Sequence, residues 1–294
     1  MKTEIRKLLF VTKFEELWFD ALQSLLDQRK LPLSHVVFLN VIEREKVALH
    51  RGAGYQKEEE IKLREKANIR FIDWAEHLFE QGLECGVYIV VGSLVQHVVD
   101  TARKEDVDLI VIGRQKKGKL ELFYSSSDII EIIRRVEVPV LVYKYMNQDI
   151  KAVESPLRRP LLATDWSPSS WRAVEYLKNL KDAIEQVNVV HVASEKSLKG
   201  SSAMAVQKIR KETRQRLEEI CDVFEEAGID ARPHVYVGNP VAEIEKAARD
   251  CQSTLIVVGT SGKSAWTERW IGSVPKDLAE KSVFPTLLVP PEKK

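Results

Sequence analysis

Four residues near the end of the chain have the types and spacing to hold phosphate: Gly259, then Gly262 after two residues, then Gly272 and Ser273 after nine more. A residue without Cβ lets backbone N–H groups approach a ligand, and the free N–H groups at the positive end of a helix favour anions. Gly259 ends a short apolar run, where a tight bend beneath a ligand calls for glycine. Gly272-Ser273 opens a helical pattern with Pro275 in its first turn, where proline is tolerated. The Ser273 hydroxyl is a further donor, so two ends of one loop could grip a polyphosphate. The letters G-K-S at Gly262, Lys263 and Ser264 invite a P-loop reading, but that loop needs a glycine five positions before the second, and Val257 stands there. The P-loop reading fails.

A G-x-x-G on its own is weak, since strand ends commonly carry glycine for turn geometry. Asp165, at the end of another apolar run, strengthens it. With Ser167 and Pro168 that aspartate also reads as a helix-capping turn, and the two roles are compatible. Lys263 reads as a solvated loop lysine, and Trp266 and Trp270 as packing residues. The histidines form no H-x-x-x-H or Cys/His cluster, so no metal site is expected, and His191 reads as a satisfied strand histidine. There is no G-x-S-x-G elbow, no G-x-G-x-x-G fingerprint and no aromatic-basic interleaving of an RNA platform.

The elements that must position these residues recur. "DLIVIGRQ", Asp108 to Gln115, returns as "TLIVVGTS", Thr254 to Ser261, and Gly113 and Gly259 differ by 146 positions, as do Val91-Gly92 and Val237-Gly238, and Pro139 and Pro285. Nearer the starts, "LLFVT" at Leu8 matches "PLLAT" at Pro160 with an offset of 152. Each copy reads as alternating strands and helices. In the second copy, apolar runs predict strands near Pro160–Thr164, Val187–Val192, His234–Val237, Leu255–Val258 and Thr286–Val289. Val206, Ile209, Thr213, Leu217, Ile220 and Phe224 predict one apolar stripe on a long helix stopped by Gly228. The first copy's long helix carries Ile61, Phe71, Trp74 and Leu78 and ends near Gly82. Such alternation implies two α/β domains, each a parallel sheet with right-handed crossovers and helices on both faces, and ligands at the carboxyl ends of the strands. The expected domains are residues 1–145 and 157–291, joined by the polar stretch Met146 to Arg159.

G-x2-G-x9-G-S after a buried strand, with "LLATDWSPSS" opening the domain, "VVHVA" ending its second strand and "VGNP" its third, resembles the universal stress protein family. The likeness covers nearly the whole chain, as a tandem of two Rossmann-like domains. The resemblance implies five-stranded parallel sheets of order 3-2-1-4-5, pairing of the domains through their last strands and, where the motif is complete, bound ATP, alone or with Mg²⁺. Carried over, Thr164, Asp165 and the backbone of Val192 would hold adenine and ribose, and Gly259, Gly262, Gly272, Ser273 and Val274 ribose and phosphates.

The first copy departs from the pattern. Lys13 stands for Asp165, Lys116 for Gly262, Ser126 for Gly272 and Asp128 for Val274, while Gly113 and Ser127 persist. A carboxylate at a helix start repels phosphate, so this copy is expected not to bind ATP in the family manner. Its basic loop, Arg114, Lys116, Lys117 and Lys119, reads as an anion or acidic-partner site or simply as a solvated loop.

The chain has 294 residues, enough for two cores, and a formal net charge of +1, so no global field holds it to nucleic acid or membrane. Cys85, Cys221 and Cys251 make no C-x-x-C pair and suit a reducing compartment. No run of about 18 apolar residues is present. These features predict a cytoplasmic protein without nucleic-acid or membrane partners. Three functions compete: an ATP-binding regulatory or protective stress-response protein, a slow ATPase, and a ligand-free interaction scaffold. A protein partner and pairing of two whole chains stay open.

Overall fold

A computed structural model describes residues 5–14, 16–26, 31–47, 54–113, 124–144, 155–193, 203–261 and 270–292. In chain order the first repeat runs β1 (Lys7–Val11), α1 (Glu16–Leu26), β2 (His35–Ile42), α2 (Arg44–Val47), α3 (Lys57–Glu80), β3 (Glu84–Val91), α4 (Leu94–Lys104), β4 (Leu109–Gly113), α5 (Ser126–Arg135) and β5 (Val140–Tyr143). The second runs β6 (Pro160–Ala163), α6 (Pro168–Lys178), a 3₁₀ turn at Lys181–Ala183, β7 (Gln186–Ala193), α7 (Ala203–Glu226), β8 (Asp230–Val237), α8 (Pro240–Asp250), β9 (Leu255–Gly259), α9 (Ser273–Lys281) and β10 (Thr286–Val289).

The strands form a single sheet of order β3-β2-β1-β4-β5-β10-β9-β6-β7-β8. Within each repeat every pairing is parallel in the order 3-2-1-4-5, and the repeats join where β5 and β10 pair antiparallel. Leu141 lies opposite Leu287, its own counterpart 146 positions on, so an approximate two-fold axis passes between them. Each repeat thereby covers the other's last strand, and no unpaired edge is left at the centre.

Helices cover both faces. One apolar layer takes residues of α1, α3, α6 and α7, such as Leu22, Trp74, Val174 and Phe224. The other takes those of α4, α5, α8 and α9, such as Val98, Ile132, Ala247 and Leu278. Both layers run across the junction. Lys144 is buried there, 5% exposed, and its ammonium donates to the Leu278 carbonyl in the last turn of α9 at 2.6 Å. That cation ties the end of the first repeat to a helix of the second.

The long helices end as their glycines predict. Gly82 and Gly228 have φ of +81° and +84°, and the next residue's N–H closes onto a carbonyl five positions back, Leu83 to Leu78 and Ile229 to Phe224. Two expectations need correction. Ile61 is 44% exposed rather than part of the α3 stripe, because it shares the solvent face of that helix with Ile72, 63% exposed, while Ala67, Phe71, Trp74 and Leu78 lie on the inward side. β8 starts at Asp230, ahead of the expected His234, and includes Pro233 because an edge strand leaves one side without a ladder to break. The stripe of α7 is deepest toward its end, where Leu217, Ile220 and Phe224 are buried, while Val206, Ile209 and Thr213 are half-buried. Of the connection Met146 to Arg159, residues 146–154 lie outside the described residues. Its end packs down, with Leu157 buried and Thr254 Oγ1 donating to the Pro156 carbonyl at 2.8 Å.

Candidate functional site

At the carboxyl ends of β6, β7 and β9 opens a cleft of about 340 Å³. Its position follows from topology: β6 and β9 are neighbours whose following chains leave to opposite faces of the sheet, so a crevice remains between them. Ala163, Val190, Val192, Ile244 and Val258 supply apolar wall, and Thr164, Asp165, Ser170, His191, Ser261 and Ser273 supply polar groups. Gly259, Gly272, Val274 and Trp270 complete the rim. Of the residues read from the sequence as a site, Thr164, Asp165, Val192, Gly259, Gly272, Ser273 and Val274 all line this cleft. Gly262 lies outside the described residues, with Lys263 and Trp266.

Asp165 sits in a tight turn built by its neighbours. Trp166 has a φ of 60°, its N–H donates to Thr164 Oγ1, and the Ser167 N–H and Ser170 hydroxyl both donate to Asp165 Oδ1, at 2.9 and 2.8 Å. Ser167 in turn caps α6 through the Ser170 N–H. The capping reading and the site reading thus hold together: one carboxylate oxygen builds the turn, and Oδ2 has no partner among the described residues. Thr164 spends its hydroxyl on the same turn.

The start of α9 is the part suited to anions. Gly272 is its N-cap and offers no side chain to the first-turn N–H groups, and Pro275 has none to satisfy. The N–H groups of Ser273 and Val274 and the Ser273 hydroxyl have no partner among the described residues. A Cβ at Gly272 would meet the Pro275 ring at 3.3 Å, so the approach is already close.

Gly259 departs from its expected role. Its φ is not positive, and an added Cβ would fall 2.3 Å from Ser169 Oγ and 2.7 Å from the Ser169 carbonyl carbon and Ser170 nitrogen. The glycine is needed because α6 begins against the strand end, a contact no local reading shows. Ser169 Oγ then donates to the Ser261 carbonyl at 2.5 Å, tying the helix start to the loop after β9.

Among the lining residues that sequence reasoning did not assign to the site, two had been given other roles. His191 Nδ1 donates to the Thr164 carbonyl at 2.8 Å and its ring lies 4.1 Å from that of Trp166, so it is satisfied as expected yet also faces the cleft. Its neighbour Val192 was the available signal. Trp270, expected to pack, is 52% exposed at the rim. The thiols offer no nucleophile: burial pushes Cys85 up to about 11 and Cys221 up to about 12, and raises Cys251. Among the described residues no group of three His, Cys, Asp or Glu could hold a metal ion, and no helix is long and apolar enough to cross a membrane.

The sequence profile of the universal stress protein family matches residues 4–144 and again 156–290. The chain belongs to the universal stress protein family. A universal stress protein of Methanocaldococcus jannaschii is 26% identical over 152 residues, 45% of this chain and 94% of that one. One of Bacillus subtilis is 28% identical over 142 residues, 44% and 96% of the two chains. Among solved structures, a universal stress protein from Archaeoglobus fulgidus superposes with a TM-score of 0.71 at 20% identity, covering 99% of this chain and 98% of its own. A protein of Pseudomonas aeruginosa described as functionally unknown gives 0.64 at 17%, covering 99% and 94%. These two share the whole tandem fold.

The first repeat of this universal stress protein is built differently where its residues depart from those of the second. Lys13 forms an ion pair with Glu43 at 3.1 Å and lies over the ring of Tyr124 at 5.1 Å. Tyr124 is the counterpart of Trp270 and is buried, 8% exposed. At the start of α5, Ser125 caps the helix by accepting from the Asp128 N–H, and its hydroxyl contacts that of Ser127 at 2.7 Å. The donors that α9 leaves open are thus partly closed here. The loop Arg114 to Lys119 lies outside the described residues.

Proposed function

We propose that this stress-response protein binds ATP in its second repeat and that the first repeat has no equivalent nucleotide site. The observation that carries the reading is the open start of α9, where Gly272 leaves the Ser273 and Val274 N–H groups turned to the cleft. Phosphates are the anions such a helix end accepts. The apolar wall of Val190, Val192 and Ile244 suits a base, and the remaining Asp165 oxygen suits ribose hydroxyls. A volume of about 340 Å³ falls in the range of small-ligand clefts, about 300–1,000 Å³. Any Mg²⁺ would arrive with the phosphates and be held by them.

Binding only the folded state stabilises it by RT ln(1 + [L]/Kd), about 4 kcal/mol at a thousandfold excess of ligand over Kd. A comparable difference in affinity between two folded conformations would let ATP select one of them, a regulatory rather than metabolic use. Calorimetric titration of nucleotide-stripped protein with Mg-ATP should give one site per chain, lost in Gly272→Val. No site would leave the interaction scaffold in front; two would show that Lys13 and Ser125 do not close the first repeat.

A further inference from the structure

A second cleft, of about 150 Å³, opens at the carboxyl ends of β1 and β2 beneath α2 and α3. It lies on the α3 face of the sheet, and four cations from three separate segments line it: Lys13 after β1, Lys46 on α2, and Lys66 and Arg70 on α3. Its floor is Phe14, 3% exposed, and Asn40, whose amide donates to the Thr12 carbonyl at 3.0 Å. Glu43 is paired with Lys13, and Lys46 and Lys66 have no ion-pair partner among the described residues. Lys46 and Lys66, exposed at the mouth of this concave surface beside Lys13 and Arg70, add to a positive potential that attracts anions.

The other repeat shows that this charge is particular to the first. By the repeat offsets Lys13 corresponds to Asp165 and Lys66 to Glu212, so two positions reverse sign. Phe14 corresponds to Trp166 and Arg70 to Arg216, and in the second repeat Arg216 lies over the Trp166 ring at 3.9 Å. The backbone frame is shared, since Phe14 and Trp166 have φ of 57° and 60°. One frame thus presents carboxylates in one repeat and ammonium groups in the other.

We propose that the first repeat binds a compact phosphate-bearing polyanion, about the size of pyrophosphate, between these strand ends and α3, with Lys46 and Lys66 as its main charge contacts. The cleft is less than half the volume of the one in the second repeat, too small for a nucleoside triphosphate and sufficient for two phosphate groups. The proposal is independent of the ATP reading.

The test is calorimetric titration of the full chain with inorganic pyrophosphate at low ionic strength, in a Gly272→Val background so that the second repeat's helix start does not contribute. One saturable site is expected, weakened at least tenfold by Lys46→Glu with Lys66→Glu. Both lysines are exposed, so the substitutions leave the core intact, and melting curves check it. Absence of binding in the Gly272→Val protein, or equal affinity after the charge reversals, would overturn the proposal. Repeating the pair with native Gly272 guards against a folding defect: the charge reversals should then remove one site, and removal of none overturns the proposal.

Discussion

Replacing Gly259 by alanine separates the two reasons a glycine can stand at the end of β9. If glycine only bends the backbone beneath a ligand, the substitution should lower nucleotide affinity and leave the free protein untouched. The structure says otherwise: the new Cβ would lie 2.3 Å from Ser169 Oγ and 2.7 Å from two backbone atoms where α6 begins. The side-chain oxygen can rotate away, at the expense of its bond to the Ser261 carbonyl, but the backbone atoms cannot. Forcing one carbon into a packed contact costs about 1–3 kcal/mol, and two backbone contacts of this kind put Gly259→Ala near the upper end. For a chain of this length that lowers the melting temperature of nucleotide-free protein by roughly 6 °C. Scanning calorimetry of both proteins without nucleotide measures it. Adding Ser169→Ala should recover only part of the loss, because Oγ is one of three offending atoms. An unchanged apo melting temperature would refute the argument.

Two further outcomes follow from groups outside the cleft. Burial, then Arg232 and Arg214, lower the pKa of His234 below its usual 6.5, and its Nε2 donates to Asn188 Oδ1 at 3.0 Å. The unfolded chain therefore binds this proton first as pH falls, so stability present above about pH 6.5 is lost between there and the lower folded value. Urea midpoints measured from pH 7.5 down to 5 should fall less steeply in His234→Gln, and parallel slopes would assign the acid sensitivity elsewhere. Lys144→Ala removes a charged donor from the Leu278 carbonyl, which keeps its bond from the Ser282 N–H at 3.2 Å, and should cost about 1.5–3 kcal/mol, the worth of a hydrogen bond to a charged group. Lys144→Met, which keeps the stem, should recover some of it in the same denaturation assay, and equal losses would place the value in the charge alone.

Much of the architecture is legible in local pattern. Parallel strands buried on both faces read as short apolar runs, so β6, β7, β9 and β10 lie close to where those runs predict. The duplication is visible because identical backbones need glycine and proline at matching places, such as Gly92 with Gly238. The resemblance to the family points to pairing through the last strands, and the spacing of Gly272-Ser273 and Asp165 points to one cleft. Ile61 misleads because it is apolar without being on the stripe: it lies roughly 140° around the helix from Trp74, on the face of the exposed Ile72.

Sequence by itself therefore determined the duplicated α/β fold, the family and several residues of one cleft, because glycine positions, apolar periods and helix starts are set by the chain's immediate neighbours. Only the tertiary structure decided what depends on segments distant in sequence. It set the Leu141–Leu287 register across the two-fold axis, the approach of α6 that requires Gly259, and the turn of His191 and Trp270 toward the cleft. It also brought Lys13, Lys46, Lys66 and Arg70 together into one basic pocket. Those contacts arise when the sheet forms and its crossovers fold back, and no period in the sequence encodes the distances they bring to zero.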